Sequence, residues 1–87
     1  DEKLLAFIDR KVGKLENYFD RIITSEVYLR IDKSSDAINK VAEIRMNIPG
    51  KELFAKKQCK SFEEATDTAI DALRRQLKRY KEKHLKV

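Results

Sequence analysis

The spacing of apolar residues changes twice along this chain, from a helical period to an alternating one and back again. In the first quarter, apolar side chains recur at steps of three and four, which predicts an amphipathic helix. Its apolar stripe consists of Leu4, Ile8, Val12, Leu15, Phe19 and Ile22. Strict alternation follows between residues 27 and 56, and the helical spacing returns from Phe62 onward. This order limits the chain to a helix, a block of strands and a second helix.

Three segments, residues 27–31, 42–48 and 53–56, alternate apolar and polar side chains as half-buried strands do. The stretch "DKSSDAIN" reads as a loop between the first two. Pro49 and Gly50 stand in the order that a type II turn requires, so the second and third strands should form a hairpin. The side of the sheet that faces away from the helices should carry Tyr28, Arg30, Val41, Arg45, Phe54 and Lys56.

The last helix has a start signal and one apolar stripe. Ser61 and Glu64 have the spacing of a capping box. The residues expected to be buried are Phe62, Ala65, Ala69, Ile70, Leu73, Leu77 and Tyr80. Each helix has one stripe to bury and each strand has one face to cover, so both helices should pack on one face of an antiparallel sheet. The predicted class is α+β, in the order α-β-β-β-α, with residues 1–87 forming one domain.

Positive charge is concentrated at one end of the chain. The formal net charge is +5, and residues 72–87 contain seven Lys and Arg but one Glu. The segment therefore carries +6, and everything before it sums to −1. Such asymmetry favours a polyanionic partner, most often nucleic acid.

On the last helix these cations form two rows, one on each side of the line that runs opposite the apolar stripe. The first row is Arg74, Lys78 and Lys81, and the second row is Arg75, Arg79, Lys83 and Lys86. Complementarity to the helix dipole is the alternative explanation, but the dipole acts only in the terminal turn. Like charges at i,i+4 repel, so stability alone would have interleaved acids. Phosphate binding is therefore favoured. Docking on an anionic membrane is disfavoured, because the sheet needs the apolar face of this helix.

The first helix offers two features with open interpretations. Opposite its apolar stripe, four cations fall nearly on one line: Lys3, Arg10, Lys14 and Arg21. They are either ordinary solvated charges or part of a binding surface. Gly13 stands inside the helix at a cost of ~1 kcal/mol relative to Ala. It either permits a close approach or is merely tolerated.

Little in the sequence suggests catalysis. No Cys/His cluster offers metal-ligand spacing, and one Cys and one His leave little for nucleophilic or acid–base chemistry, although carboxylates are plentiful. We therefore expect neither an enzyme nor a cofactor. Cys59 alone forms no internal disulfide, which fits the cytoplasm. His84 is expected to be a spectator. Tyr28 and Phe54 could stack on bases, although cross-strand packing is the more common role of such residues.

Two stretches carry a resemblance to a known family. "KLENYFDRI" (residues 14–22) and "FEEATDTAIDALRRQLKRYKEKH" (residues 62–84) resemble the two helices of the ribosome hibernation promoting factors, also called ribosome-associated inhibitors or sigma-54 modulation proteins. Within the second stretch, Arg75, Gln76 and Leu77 supply the R-Q-L part of the family's pattern. The similarity extends over the whole chain and looks like a short form of the family.

The resemblance implies a function. Members of this family bind the small ribosomal subunit and its 16S-type rRNA, cover the messenger and transfer-RNA decoding region, and keep ribosomes inactive in stationary phase or stress. The RNA-facing positions carried over to this chain are Lys14, Arg21, Arg74, Arg75, Lys78, Arg79, Lys81 and Lys83.

The family fold, β-α-β-β-β-α, has a strand before the first helix, and the given sequence begins at Asp1, without that strand. Without it, the strand around residues 26–32 would have an open edge that could pair with a second copy. Two other functions stay open: a double-stranded RNA-binding domain, which shares the order α-β-β-β-α, and a protein-interaction module that uses the basic helix. A double-stranded RNA-binding domain concentrates its basic residues at the start of its last helix, whereas in this chain they lie in the C-terminal half of that helix.

Overall fold

The computed structural model describes residues 1–84 and confirms the predicted order of elements. The elements are α1 (Glu2–Tyr18), β1 (Thr24–Ile31), β2 (Lys40–Ile48), β3 (Lys51–Cys59) and α2 (Phe62–His84). The strands form an antiparallel sheet in the order β1-β2-β3. Among residues 1–84, β1 pairs with β2 alone. Self-association through its other edge stays a prediction.

Pro49 and Gly50 form the two-residue turn of the β2–β3 hairpin. Ile48 pairs with Lys51 across it, and the φ of Gly50 is 77°. That backbone conformation is open to glycine and strained for other residues, so the turn explains why glycine stands here. The turn fixes the register in which Ile44 lies opposite Ala55, with both side chains directed into the core.

The core lies between the sheet and the two helices. α2 packs on β2 and β3, and α1 packs against α2. Leu15, Ile44, Leu73 and Leu77 are completely buried in one continuous cluster. Both helices therefore cover the same face of the sheet, as the apolar stripes predict.

Both helices begin with side-chain caps. The Asp1 carboxylate accepts hydrogen bonds from the backbone N–H groups of Lys3 (2.9 Å) and Leu4 (3.4 Å). At α2, the N–H of Glu64 donates to the Ser61 hydroxyl at 3.1 Å. The Glu64 carboxylate reaches back to the N–H of Lys60 at 3.4 Å, one residue before the cap itself. The predicted capping pair is therefore present, with this shift in its return bond.

The first helix is shorter than its apolar spacing predicts. α1 ends at Tyr18, and Phe19 is extended, with φ −136° and ψ 104°. The chain turns there, and the ring of Phe19 is buried edge-on to Tyr80, with 5.8 Å between centroids. Ile22 contacts the core from the segment that follows the helix, so its spacing matches that of one further helical turn. The predicted helical line through Lys14 and Arg21 is wrong, because Arg21 lies beyond the helix.

The open face of the sheet, which faces away from the helices, differs from prediction at one residue. Val41 lies on it by alternation but is only 1% exposed. Gln58, its partner on β3, donates hydrogen bonds to the Ile38 carbonyl (2.7 Å) and the Ser35 hydroxyl (3.3 Å). The β1–β2 loop is thus tied down at the end of the face where Val41 lies. The other residues predicted to face outward are exposed: Tyr28, Arg30, Arg45, Phe54 and Lys56.

Gly13 makes no close approach to the rest of the molecule. A Cβ built at this position meets no atom within 4 Å outside the local helix backbone. The glycine is therefore tolerated rather than required. In the described part of the chain, neither helix is long and apolar enough to cross a membrane.

Candidate nucleic-acid interface

The final helix presents six of the eight predicted site residues on its solvent side. Together they are called the basic surface below: Arg74, Arg75, Lys78, Arg79, Lys81 and Lys83. Arg74 and Lys81 are half-buried, and the other four are exposed. Lys86, the predicted end of the second row, lies outside the described residues.

Packing and hydrogen bonds fix the rotation of α2. Leu73 and Leu77 are completely buried on its sheet side. The Gln76 amide donates to the Phe54 carbonyl at 3.0 Å, and the Tyr80 hydroxyl donates to the Pro49 carbonyl at 3.2 Å. Because these contacts hold one side of the helix to β2 and β3, the cations at the remaining positions must face α1 or solvent.

The first row lies along the seam between the helices, where Tyr18 contacts two of its members. The Arg74 guanidinium carbon lies 4.9 Å from the centroid of the Tyr18 ring, and the Lys81 Nζ lies 4.3 Å from it. Both distances are in the range of cation–π attraction. These contacts orient the two cations without neutralising them. Sequence reasoning missed Tyr18, whose signal was its position beside the core residue Phe19.

The second row lies on the opposite side of α2, next to the β2–β3 hairpin. Arg79 and Lys83 line an open pocket of about 310 Å³, to which β3 contributes Lys51. The remaining lining residues are Gln76, Tyr80 and His84. The His84 ring is stacked on Tyr80, with 4.2 Å between centroids. Lys51 is not among the predicted site residues, because only the folded hairpin brings it to the pocket beside His84. The spectator role of His84 stays a prediction.

The two predicted site residues from the first part of the chain are exposed, Lys14 on α1 and Arg21 in the turn that follows. In residues 1–84, neither forms an ion pair or cation–π contact with α2. Lys11 is the α1 cation that does: its Nζ lies 2.9 Å from a carboxylate oxygen of Asp67. Lys14 and Arg21 are thus solvent-accessible, and their contribution to the same RNA-binding surface as the α2 cations stays a prediction.

The basic surface has no acidic partners in the described residues. Ion pairs within 4.0 Å join only Lys11 to Asp67 and Arg30 to Glu43 in this part of the chain. The acids of α2 stand mostly in its first half, at Glu63, Glu64, Asp67 and Asp71. The six cations are therefore available to an external anion.

The open face of the sheet has a different character. Tyr28 and Phe54 are 49% and 44% exposed, and the Arg45 guanidinium carbon lies 5.7 Å from the Phe54 ring centroid. Arg30 donates a hydrogen bond to Glu43 and lowers the pKa of that carboxyl. Since Glu43 pairs with Arg30, this face offers phosphate fewer cations without an acidic partner than the helical side does.

Comparisons with known proteins identify the family to which this chain belongs. Residues 1–85 match the family described as sigma 54 modulation protein / S30EA ribosomal protein. The chain therefore belongs to this family, as the two helical stretches indicated.

Among its relatives, the ribosome hibernation promoting factors of Salmonella typhimurium and Escherichia coli are each 34% identical over 82 residues. These alignments cover 94% of this chain and 82% of each relative. The protein of the same name from Pseudomonas putida is 30% identical, with 94% of this chain and 76% of that protein covered.

Two solved structures share the fold. The Thermus thermophilus Protein Y N-terminal domain has a TM-score of 0.75 and 26% identity, with 92% of this chain and 84% of that chain covered. A ribosomal subunit interface protein from Coxiella burnetii has a TM-score of 0.82 and covers 94% of this chain, with 86% of that chain covered. At 18% identity, the latter supports the fold alone.

Proposed function

We propose that this chain is a ribosome-binding inhibitor of translation that keeps ribosomes inactive in stationary phase or stress. The observation that carries the proposal is the basic surface, whose six cations have no carboxylate within 4.0 Å in the described residues. Relatives named ribosome hibernation promoting factor supply the partner. Residues 1–87 act in this proposal as one ribosome-binding domain, and a ribosomal partner implies the cytoplasm.

The proposed site is the decoding region of the small subunit, lined by 16S-type rRNA. α2 has 23 residues, which extend about 35 Å at 1.5 Å per residue, so its cations can contact several backbone phosphates. The four exposed members, Arg75, Lys78, Arg79 and Lys83, reach phosphates directly. Arg74 and Lys81 do so from the α1 seam, and Lys14 and Arg21 add contacts beside them.

The proposed mechanism is occupancy of the messenger and transfer-RNA path rather than a reaction. A rigid domain in that path excludes the RNAs by volume, and the affinity comes largely from counterions released when phosphates are neutralised. Inhibition then needs no cofactor and no bond-breaking step.

Co-sedimentation with purified small subunits tests the proposal. We expect binding whose log K falls with log salt, with a slope of about −4 to −5 for six phosphate contacts. A slope near zero would contradict an electrostatic interface. Binding to duplex RNA is measured for comparison. This protein should prefer the small subunit, whereas a double-stranded RNA-binding domain would prefer the duplex.

Competition tests the mechanism separately. Initiator transfer RNA and this protein should exclude each other on the small subunit, and footprinting measures the occupancy of both. Simultaneous occupancy without loss of either would rule out steric blocking. Cleavage of rRNA during the incubation would indicate an enzyme instead.

A further inference from the structure

The pocket between the end of α2 and the β2–β3 hairpin has the chemistry of a nucleotide site. We propose that it binds one phosphate of a single-stranded RNA segment, with the adjoining base stacked on His84. The inference rests on the proposed function and deepens it, because it assigns RNA contacts to Lys51 on β3 and to the Tyr80–His84 ring pair, outside the basic surface.

Both walls of the pocket are held in place by hydrogen bonds to the backbone. The Gln76 amide is bonded to the Phe54 carbonyl, and the Tyr80 hydroxyl is bonded to the Pro49 carbonyl. One bond fixes the helix to the middle of β3, and the other fixes it to the hairpin turn. The two bonds therefore fix the position of α2 relative to the hairpin, and with it the space between them. Its volume of about 310 Å³ is at the low end for ligand pockets, about 300–1,000 Å³.

Three cations line this space. Arg79 and Lys83 stand one helical turn apart on α2, and Lys51 approaches from β3. Within residues 1–84, none of the three has a carboxylate within 4.0 Å. Gathering like charges is unfavourable without an anion, and a phosphate accepts charge-assisted hydrogen bonds from all three. The guanidinium of Arg79 also matches two phosphate oxygens in a bidentate arrangement.

The ring pair selects a nucleotide over a simple anion. The rings of Tyr80 and His84 are nearly parallel, with an interplanar angle of 17°. His84 Nδ1 lies 3.1 Å from the Tyr80 carbonyl oxygen, and because a carbonyl only accepts, Nδ1 carries the proton. This bond fixes the orientation of the imidazole. His84 is exposed, so a base can extend the stack on the face that points away from Tyr80.

Nuclear magnetic resonance on the protein alone tests the pocket without a ribosome. The probes are a four-nucleotide oligoadenylate, adenosine and inorganic phosphate. We expect the oligonucleotide to shift the His84 ring and Lys51 amide signals at concentrations at least tenfold lower than phosphate requires. His84→Ala should weaken oligonucleotide binding and leave phosphate binding unchanged. Equal response to phosphate and oligonucleotide, or no response at these two residues, would overturn the assignment.

A charge-matched pair of variants tests the pocket on the ribosome. Lys51→Gln should reduce the magnitude of the salt slope by about 0.7–0.9, as expected for one lost phosphate contact. Lys56→Gln, on the open face of the sheet, removes the same charge and should leave the slope unchanged. If the wild-type protein binds with a steep slope and both variants match it, the pocket assignment fails while the proposed function stands. If the wild-type protein does not bind subunits, the proposed function fails, and the oligonucleotide titration decides the pocket by itself.

Discussion

Tyr18 contacts two cations of the basic surface while belonging to the other helix. Its ring lies under both Arg74 and Lys81, and such contacts contribute about 0.5–1 kcal/mol each at exposed sites. Tyr18→Leu keeps apolar volume but removes the ring, so we expect it to lower the free energy of unfolding by ~1–2 kcal/mol. Tyr18→Phe keeps the ring and should remain within ~0.5 kcal/mol of wild type. Equal melting temperatures for the two variants would contradict this role.

Gly13 and Gly50 offer an opposed pair of substitutions. Gly13→Ala should stabilise the protein by ~1 kcal/mol, because alanine favours the helix and its Cβ has space. For a domain of this size, that gain raises the melting temperature by roughly 4–8 °C. Gly50→Ala should destabilise by ~1–2 kcal/mol, since its φ of 77° is strained for alanine. Thermal denaturation measures both, and destabilisation by Gly13→Ala would show that the position has a packing role.

Asp32 makes part of the stability depend on pH. The Ser34 hydroxyl donates to its carboxylate at 2.6 Å and the Ser34 N–H at 3.0 Å, and these bonds lower its pKa below the usual 3.8. A lowered folded-state pKa means that the contribution is present above pH 3.8 and is lost as pH falls through the folded value. Asp32→Ala should therefore lower the melting temperature more at pH 7 than at pH 2. An equal loss at both values would point to a role other than charge.

The two sides of α2 have different roles, since one side packs in the core and the other carries the basic surface. Leu77 is completely buried, so Leu77→Ala should lower the free energy of unfolding by ~2–5 kcal/mol. Lys78→Ala, one residue on and exposed, should stay within ~0.5 kcal/mol of wild type. Chemical denaturation of the two variants measures the difference. Similar losses would mean that the exposed side of α2 supports the fold as well.

Some features of the helices and strands could be predicted from the sequence, and others could not. The order of elements, the Ser61 cap and the hairpin turn follow from local spacing, and all three are confirmed. On the apolar side of α2, five of the seven residues expected to be buried are buried, whereas Phe62 and Tyr80 are half-buried. The end of α1 could not be predicted from local spacing, because Ile22 repeats the helical spacing from beyond the turn at Phe19. The burial of Val41 and the pocket at Lys51 depend on segments far apart in sequence, which local patterns do not encode. The role of the basic surface in RNA binding stays a prediction.

For the whole molecule, the two sides of the sheet differ in charge. The helical side carries six cations without acidic partners in residues 1–84, whereas the open face pairs Arg30 with Glu43 and places Arg45 beside Phe54. The described residues form a flat body of 48 × 25 × 16 Å. Such a body can present one broad side to RNA and the other to solvent. The proposed orientation therefore places α2 against the ribosome and the open face of the sheet away from it.

Ribosome binding by two charge-matched triple variants tests this orientation most directly. One changes Arg75, Arg79 and Lys83 to Glu, and the other changes Lys33, Lys56 and Lys60, which lie outside the basic surface. Both reverse three exposed cations, so their net charges are equal. Co-sedimentation with small subunits should be lost in the first and kept in the second, with unchanged circular dichroism spectra. If the first variant binds like wild type, or both lose binding equally, the basic surface of α2 is not the ribosome-binding site.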